Sequence, residues 1–119
     1  MDIAPPPQLG LVREAIAALA AEPADQLSMW RGAVVTDELA LDFGNAHGVL
    51  PLLRRAGVAF EGEAAALMAE LETLLSAAPE SSLWSDEALH WHPAWARARV
   101  VARRLLALPP LASDHASDE

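Results

Sequence analysis

The stretch Pro93-Ala94-Trp95-Ala96-Arg97-Ala98-Arg99-Val100-Val101-Ala102-Arg103-Arg104-Leu105-Leu106 carries the clearest pattern in this 119-residue chain. Wound at 100° per residue, Trp95, Ala98, Val101, Ala102, Leu105 and Leu106 cover one broad face. Arg97 and Arg104 flank that face on one side, Arg99 and Arg103 on the other. Pro93 suits the first helical position, where its missing N–H costs nothing. Pro109-Pro110 ends the run. An amphipathic helix with so wide an apolar face must bury it against other helices.

Moving back along the chain, Ser85, followed by Asp86 and Glu87, is expected to cap a short helix that ends before Pro93. Before it, a helix is predicted from about Glu63 to Ala77. Its expected inner face is Leu67, Leu71 and Leu74, with Met68 and Leu75 beside them and Glu63, Glu70 and Thr73 opposite. Pro79 would stop it. Thr36 reads as the N-cap of another helix, with Asp37 and Glu38 in its first turn. Its stripe of Leu39, Phe43, Ala46, Leu50 and Leu53 runs through Gly44, Gly48 and Pro51, so either one helix kinks there or two helices meet. Gly57 fits the left-handed position after Arg54 and Arg55, with Val58 following.

Nearest the amino terminus, Leu9, Val12, Ile16 and Leu19 mark a helix running to about Glu22, before Pro23. Asp25 is expected to cap a short element carrying Leu27 and Trp30 and closed by Gly32. Val34-Val35 is too short for a strand, and no segment alternates with period two. The expected fold class is all-α: an irregular bundle of four to six short helices around a single core. The expected organisation is an extended lead-in over 1–8, a helical domain over 9–110 and an acidic disordered tail over 111–119.

Composition agrees. The chain has 26 Ala and 19 Leu, strong helix formers, and 53% apolar residues, enough for a core at 12.7 kDa. It has no Cys, Lys or Tyr, which removes disulfides, thiolate nucleophiles, Schiff-base lysines and tyrosine acid/base chemistry. All eight basic residues are Arg, a bias that a GC-rich bacterial genome explains. No apolar run is long enough to span a bilayer. The opening Met1-Asp2-Ile3-Ala4-Pro5 is unlike a signal peptide, so cytoplasmic residence is the expectation.

Few groups are spaced for chemistry. Asp86 and His90 share a helical face, but His92 beyond Trp91 does not, so no metal or other cofactor is expected. Ser85, Asp86 and His90 lack the nucleophile elbow or glycine-rich loop that would frame a catalytic set, and no enzyme is expected. Asp42-Phe43-Gly44 repeats a kinase tripeptide without the glycine-rich loop, lysine or catalytic loop that give it meaning. Trp84, Trp91 and Trp95 would share one side if helical geometry carried across Pro93, and are expected to pin the last two helices onto the core.

Charge then governs the functional reading. Seventeen acidic residues against eight basic ones give a net charge of −9. This disfavours anionic membranes and nucleic acid, and the arginines of the last helix are expected to pair internally with Glu70, Glu72, Asp37 or Glu38. Glu38, Asp42 and Asn45 line one helical face. Together with Glu61, Glu63, Glu70 and Glu72 they can form an acidic surface. The expected function is therefore a non-catalytic protein-binding module of the inhibitor, immunity or antitoxin type, masking a basic protein partner. The alternatives are a structural subunit that self-associates through helical apolar faces, and a nucleic-acid-associated regulator using the arginine helix.

Overall fold

The computed structural model describes residues 6–30, 34–77 and 81–112. The expected lead-in up to Pro5, the Gly32 and Pro79 stops and the tail from Ser113 lie outside them. Among the described residues the fold is all-α, as the sequence predicts, with α1 (Pro7–Ala20), α2 (Pro23–Met29), α3 (Val35–Gly48), α4 (Leu50–Arg55), α5 (Gly62–Leu74), α6 (Ala88–Trp91) and α7 (Pro93–Leu106). A single 3-10 turn, Ser82–Trp84, precedes α6. No helix among them is long and apolar enough to cross a membrane.

The helix at the centre of the packing is α7. It lies against α1 and α5, and α1 in turn packs on α3. Its predicted inner face is buried at Trp95, Ala98, Val101, Ala102 and Leu105. The predicted stripe of α1, Leu9, Val12, Ile16 and Leu19, is buried against it. Trp95 is the largest fully buried side chain, and its Nε1 donates to the Leu83 carbonyl at 2.9 Å. An indole of roughly 150–250 Å² buried at about 25 cal/mol per Å² contributes about 4–6 kcal/mol.

The arginines of α7 do more than flank it. Arg99 donates through Nε to the Ala21 carbonyl at 2.9 Å and through Nη2 to the Leu89 carbonyl at 3.3 Å. Arg103 Nε donates to the Ala20 carbonyl at 2.9 Å. Gln26, almost fully buried in α2, donates its amide to the carbonyls of Ala18 and Leu19. A helix end leaves its last carbonyls without intrahelical donors, and α1 has no basic residue in its own last turn. Three side chains from elsewhere in the fold supply those donors. Arg13 Nε and Nη2 likewise reach the Leu111 carbonyl, tying α1 to the segment after α7.

Several predicted boundaries shift. Thr36 does not cap α3. The helix starts two residues earlier, at Val35, Thr36 is fully buried, and its hydroxyl has no partner among the described residues. The donor at that helix start is met from a distance, because Asp86 Oδ1 accepts the Val35 N–H at 3.0 Å. Asp25 sits inside the first turn of α2 rather than at its cap, because Pro23 already occupies the first helical position. The stripe through Gly44, Gly48 and Pro51 resolves into two helices, α3 and α4, meeting at Val49. The end of α4 is as expected: Gly57 has φ +89°, its N–H donates to Arg54, and the Val58 N–H donates to Leu53 at 2.8 Å. Helix α5 ends at Leu74 and buries Ala64, Met68 and Leu71, while Leu67 and Leu74 are half-buried at its margin.

Two substitutions test these long-range caps. Arg99→Met leaves two carbonyls without their charged donor and should cost about 1.5–3 kcal/mol in denaturant unfolding. Asp86→Ala should cost about 0.5–2 kcal/mol, in the range of a lost N-cap, and Asp86→Asn should recover most of it. Equal stability of Asp86→Ala and the parent chain would remove the cap assignment.

Candidate interaction surface around helix α3

The cations of α7 are consumed within the fold. Arg97 binds Glu70 with two hydrogen bonds, Nε to Oε2 at 2.5 Å and Nη2 to Oε1 at 2.9 Å. Arg104 holds Glu63 in the same way, at 2.9 and 3.0 Å. Arg103 pairs with Glu22. These three glutamates are held below the ordinary carboxylate range, first by the hydrogen bond from each arginine. Arg97 and Arg104 are raised by the same hydrogen bonds. Arg99 is lowered, because burial removes water from its guanidinium more than Glu22 compensates. Of the partners expected for the arginine helix, Glu70 is one; Glu72, Asp37 and Glu38 are not.

The acids around α3 have no such partners. Its outward side carries Asp37, Glu38, Leu41, Asp42 and Asn45, none of them buried, and none of the three carboxylates has an ion pair among the described residues. A cleft lies on each side of this ridge. The first, about 680 Å³, is floored by Ala15, Ala17 and Ala18 of α1 and walled by Leu11, Met29 and Trp30, with Glu14, Asp42 and Asn45 at its rim. The second, about 710 Å³, is lined by Val34, Asp37, Ala40, Leu41, Leu75, Ala77 and Trp84. Leu11, Met29, Val34 and Leu41 are exposed. No basic side chain lines either cleft among the described residues. An apolar floor between unpaired carboxylates favours an apolar anchor beside a cation.

The six residues proposed from sequence for partner binding therefore fall into separate places. Glu38 and Asp42 share the ridge. Glu63 and Glu70 are engaged with Arg104 and Arg97. Glu72 lies 3.8 Å from His47 Nε2, and Glu61 lines a cleft with Pro109 and Pro110. Sequence reasoning missed Glu14, Leu11 and Met29. Only the packing of α1 and α2 on α3 brings them beside Asp42, and their own helices carry no sign of it.

The other candidate groups are occupied by backbone. Ser85 Oγ accepts the Ala88 N–H at 3.3 Å, Asp86 accepts from Val35, and His92 Nδ1 accepts the Ala94 N–H at 3.0 Å as the cap of α7. No three His, Asp or Glu side chains converge as metal ligands among the described residues. The tryptophans do not share one side. Trp84 meets Trp95 edge-on, with centroids 6.2 Å apart and planes at 80°. Trp91 stands 59% exposed against His92, because Pro93 starts a new helix and breaks the register. Comparison with protein-family models, with curated proteins and with solved structures finds no match.

The three depressed glutamates set a pH window. Their folded values lie below the unfolded one, so their contribution is complete above the ordinary value of 4.5 and is lost as pH falls through the folded values. Replacing Glu22, Glu63 and Glu70 together with Gln should flatten the loss of stability below that value relative to the parent chain. Protonation of the unpaired ridge acids, which relieves repulsion, is common to both proteins. Parallel pH profiles for the two would show that the pairs contribute nothing.

Proposed function

We propose that this protein is a non-catalytic binding module that masks a basic surface on a protein partner. One observation carries the reading. The described arginines of α7 are committed to internal acceptors, while the carboxylates flanking the apolar clefts of α3 stay unpaired. The internal pairs leave the strong acidity of the chain concentrated away from α7. A partner presenting arginine or lysine beside an apolar side chain complements both parts of the ridge: Asp42 and Glu14 take the cation, and the cleft between Leu11 and Met29 takes the apolar group. The inhibitor, immunity or antitoxin type is the biological form that such masking takes. It rests on charge and size, a class-level analogy.

A nucleic-acid role draws no support from the arginine helix. A phosphate-binding surface needs unopposed cations. Arg97, Arg103 and Arg104 already face Glu70, Glu22 and Glu63, and Arg99 faces two backbone carbonyls.

The test is affinity capture from native lysate on the full chain, followed by kinetics on the basic protein recovered. The association rate should fall by about tenfold or more from low to high salt, as electrostatic steering is screened. Asp42→Asn with Glu14→Gln should slow association further, and Glu63→Gln should not. Salt-independent association, or an effect confined to Glu63→Gln, would overturn the assignment.

A further inference from the structure

Arg13, Arg97, Arg99, Arg103 and Arg104 each donate to an acceptor within the fold. Arg54 and Arg55, both exposed on α4, have no side-chain hydrogen bond or ion pair among the described residues. Basic residues in a last turn suit the carbonyl end of a helix. The end of α4, however, is already closed by backbone, with the Gly57 N–H on Arg54 and the Val58 N–H on Leu53. In a chain of −9, these guanidinium groups stand without a carboxylate. Arg54 also lines a cleft of about 480 Å³, where the end of α3, helix α4 and residues 59–60 come together. Small-molecule sites span roughly 300–1,000 Å³. The other walls are Leu50, Pro51, Ala59 and Phe60, with the ring of His47. Leu50 and Phe60 are half-buried and pack on the core, and His47 is tilted against the buried Phe43 with centroids 5.8 Å apart, so these walls are held in place. The two clefts beside α3, the cleft at Pro109 and the one at Glu72 each carry a carboxylate. This one carries none among the described residues and has Arg54 instead.

We propose that this cleft binds a small monocarboxylic acid, with the carboxylate on the Arg54 guanidinium and the hydrocarbon body against Leu50, Pro51 and Phe60. The planar fork of a guanidinium matches a carboxylate through two parallel hydrogen bonds. The apolar walls call for a body that an inorganic anion lacks. The surroundings set the charge of the ligand. One guanidinium in the cleft balances one negative charge. Glu72, 3.8 Å from His47, and Glu61, next to Phe60 in the chain, oppose a second, and so does the net charge of −9. Phosphate esters and nucleotides are disfavoured on that account. No strand edge among the described residues offers backbone pairing to a peptide, so the occupant is a free acid rather than a peptide terminus. The cleft shares no lining residue with the two clefts of the α3 ridge, and its occupancy does not depend on the function proposed above.

Titration of the full chain with sodium octanoate, followed by the NMR shifts of the backbone amides and of Arg54 Nε, tests the proposal. The shifts should saturate at roughly millimolar octanoate or below and cluster over residues 47–60. Octan-1-ol lacks the charge and acetate lacks the body, so each should bind about tenfold more weakly or worse. Arg54→Gln should weaken octanoate by about tenfold, whereas Arg55→Gln, outside the cleft, should change it by less than about twofold. Both arginines are exposed, so the thermal midpoints should stay at the parent value. Octyl phosphate and N-acetyl-phenylalanyl-leucine, which carry a second charge and a peptide body, should both bind more weakly than octanoate. Absence of saturable binding overturns the proposal, as do shifts centred on another face, octanoate binding that survives Arg54→Gln, or equal binding of octan-1-ol. Tighter binding of the phosphate or the peptide overturns the choice of a free monocarboxylic acid.

Discussion

Two guanidinium groups on α7 stand at the carboxyl end of α1, and the arrangement of the bundle follows from that contact. Arg99 and Arg103 donate to the carbonyls of Ala21 and Ala20, while Gln26 satisfies those of Ala18 and Leu19. The end of a helix dipole is thus met by charge from another helix rather than by its own last turn. Apolar stripes alone would let α1 and α7 slide along each other or rotate. Directed donors at one end fix both the offset and the rotation. Arg99 also reaches Leu89, so the same side chain places α6, and with it the loop that carries Asp86 to the start of α3. The ridge that flanks the clefts is positioned at the end of this chain of contacts.

The apolar pattern of the fold was legible because helical spacing alone decides it. Leu9, Val12, Ile16 and Leu19 are buried as their steps of three and four require, and so are most residues on the broad face of α7. The N-caps of α2 and α3 were not legible. Thr36 and Asp25 satisfy the local preference for N-caps, yet at α2 a proline removes one of the donors and at α3 a carboxylate 51 residues away accepts from the first one. Local propensity cannot encode such partners; only the tertiary arrangement supplies them. The 3-10 turn at Ser82–Trp84 escaped for a similar reason, since it is held by Ser81 and by the indole of Trp95.

The candidate surface was half visible. Glu38, Asp42 and Asn45 share a face by their spacing on one helix, and that face is the ridge. Glu63 and Glu70 were lost from the expected acidic surface to ion pairs because opposed rows on α5 and α7 come into register. Glu63 and Glu70 are seven apart on one helix, as are Arg97 and Arg104 on the other, so two closed pairs form side by side. Identical residue types thus take different roles. A carboxylate opposite α7 is neutralised, and one beside α1 on the α3 side is left free to meet another molecule.

The contact between α1 and α7 also bears on how the polypeptide matures. On the ribosome, α1 emerges early and the helix that covers it emerges late. Until then, the Leu9–Leu19 stripe has only α3 to lie against, and the carbonyls at its end have water in place of guanidinium. The nascent chain therefore carries an uncovered oily strip until α7 follows. Such a strip is the kind of surface that chaperones hold and that crowded polysomes aggregate.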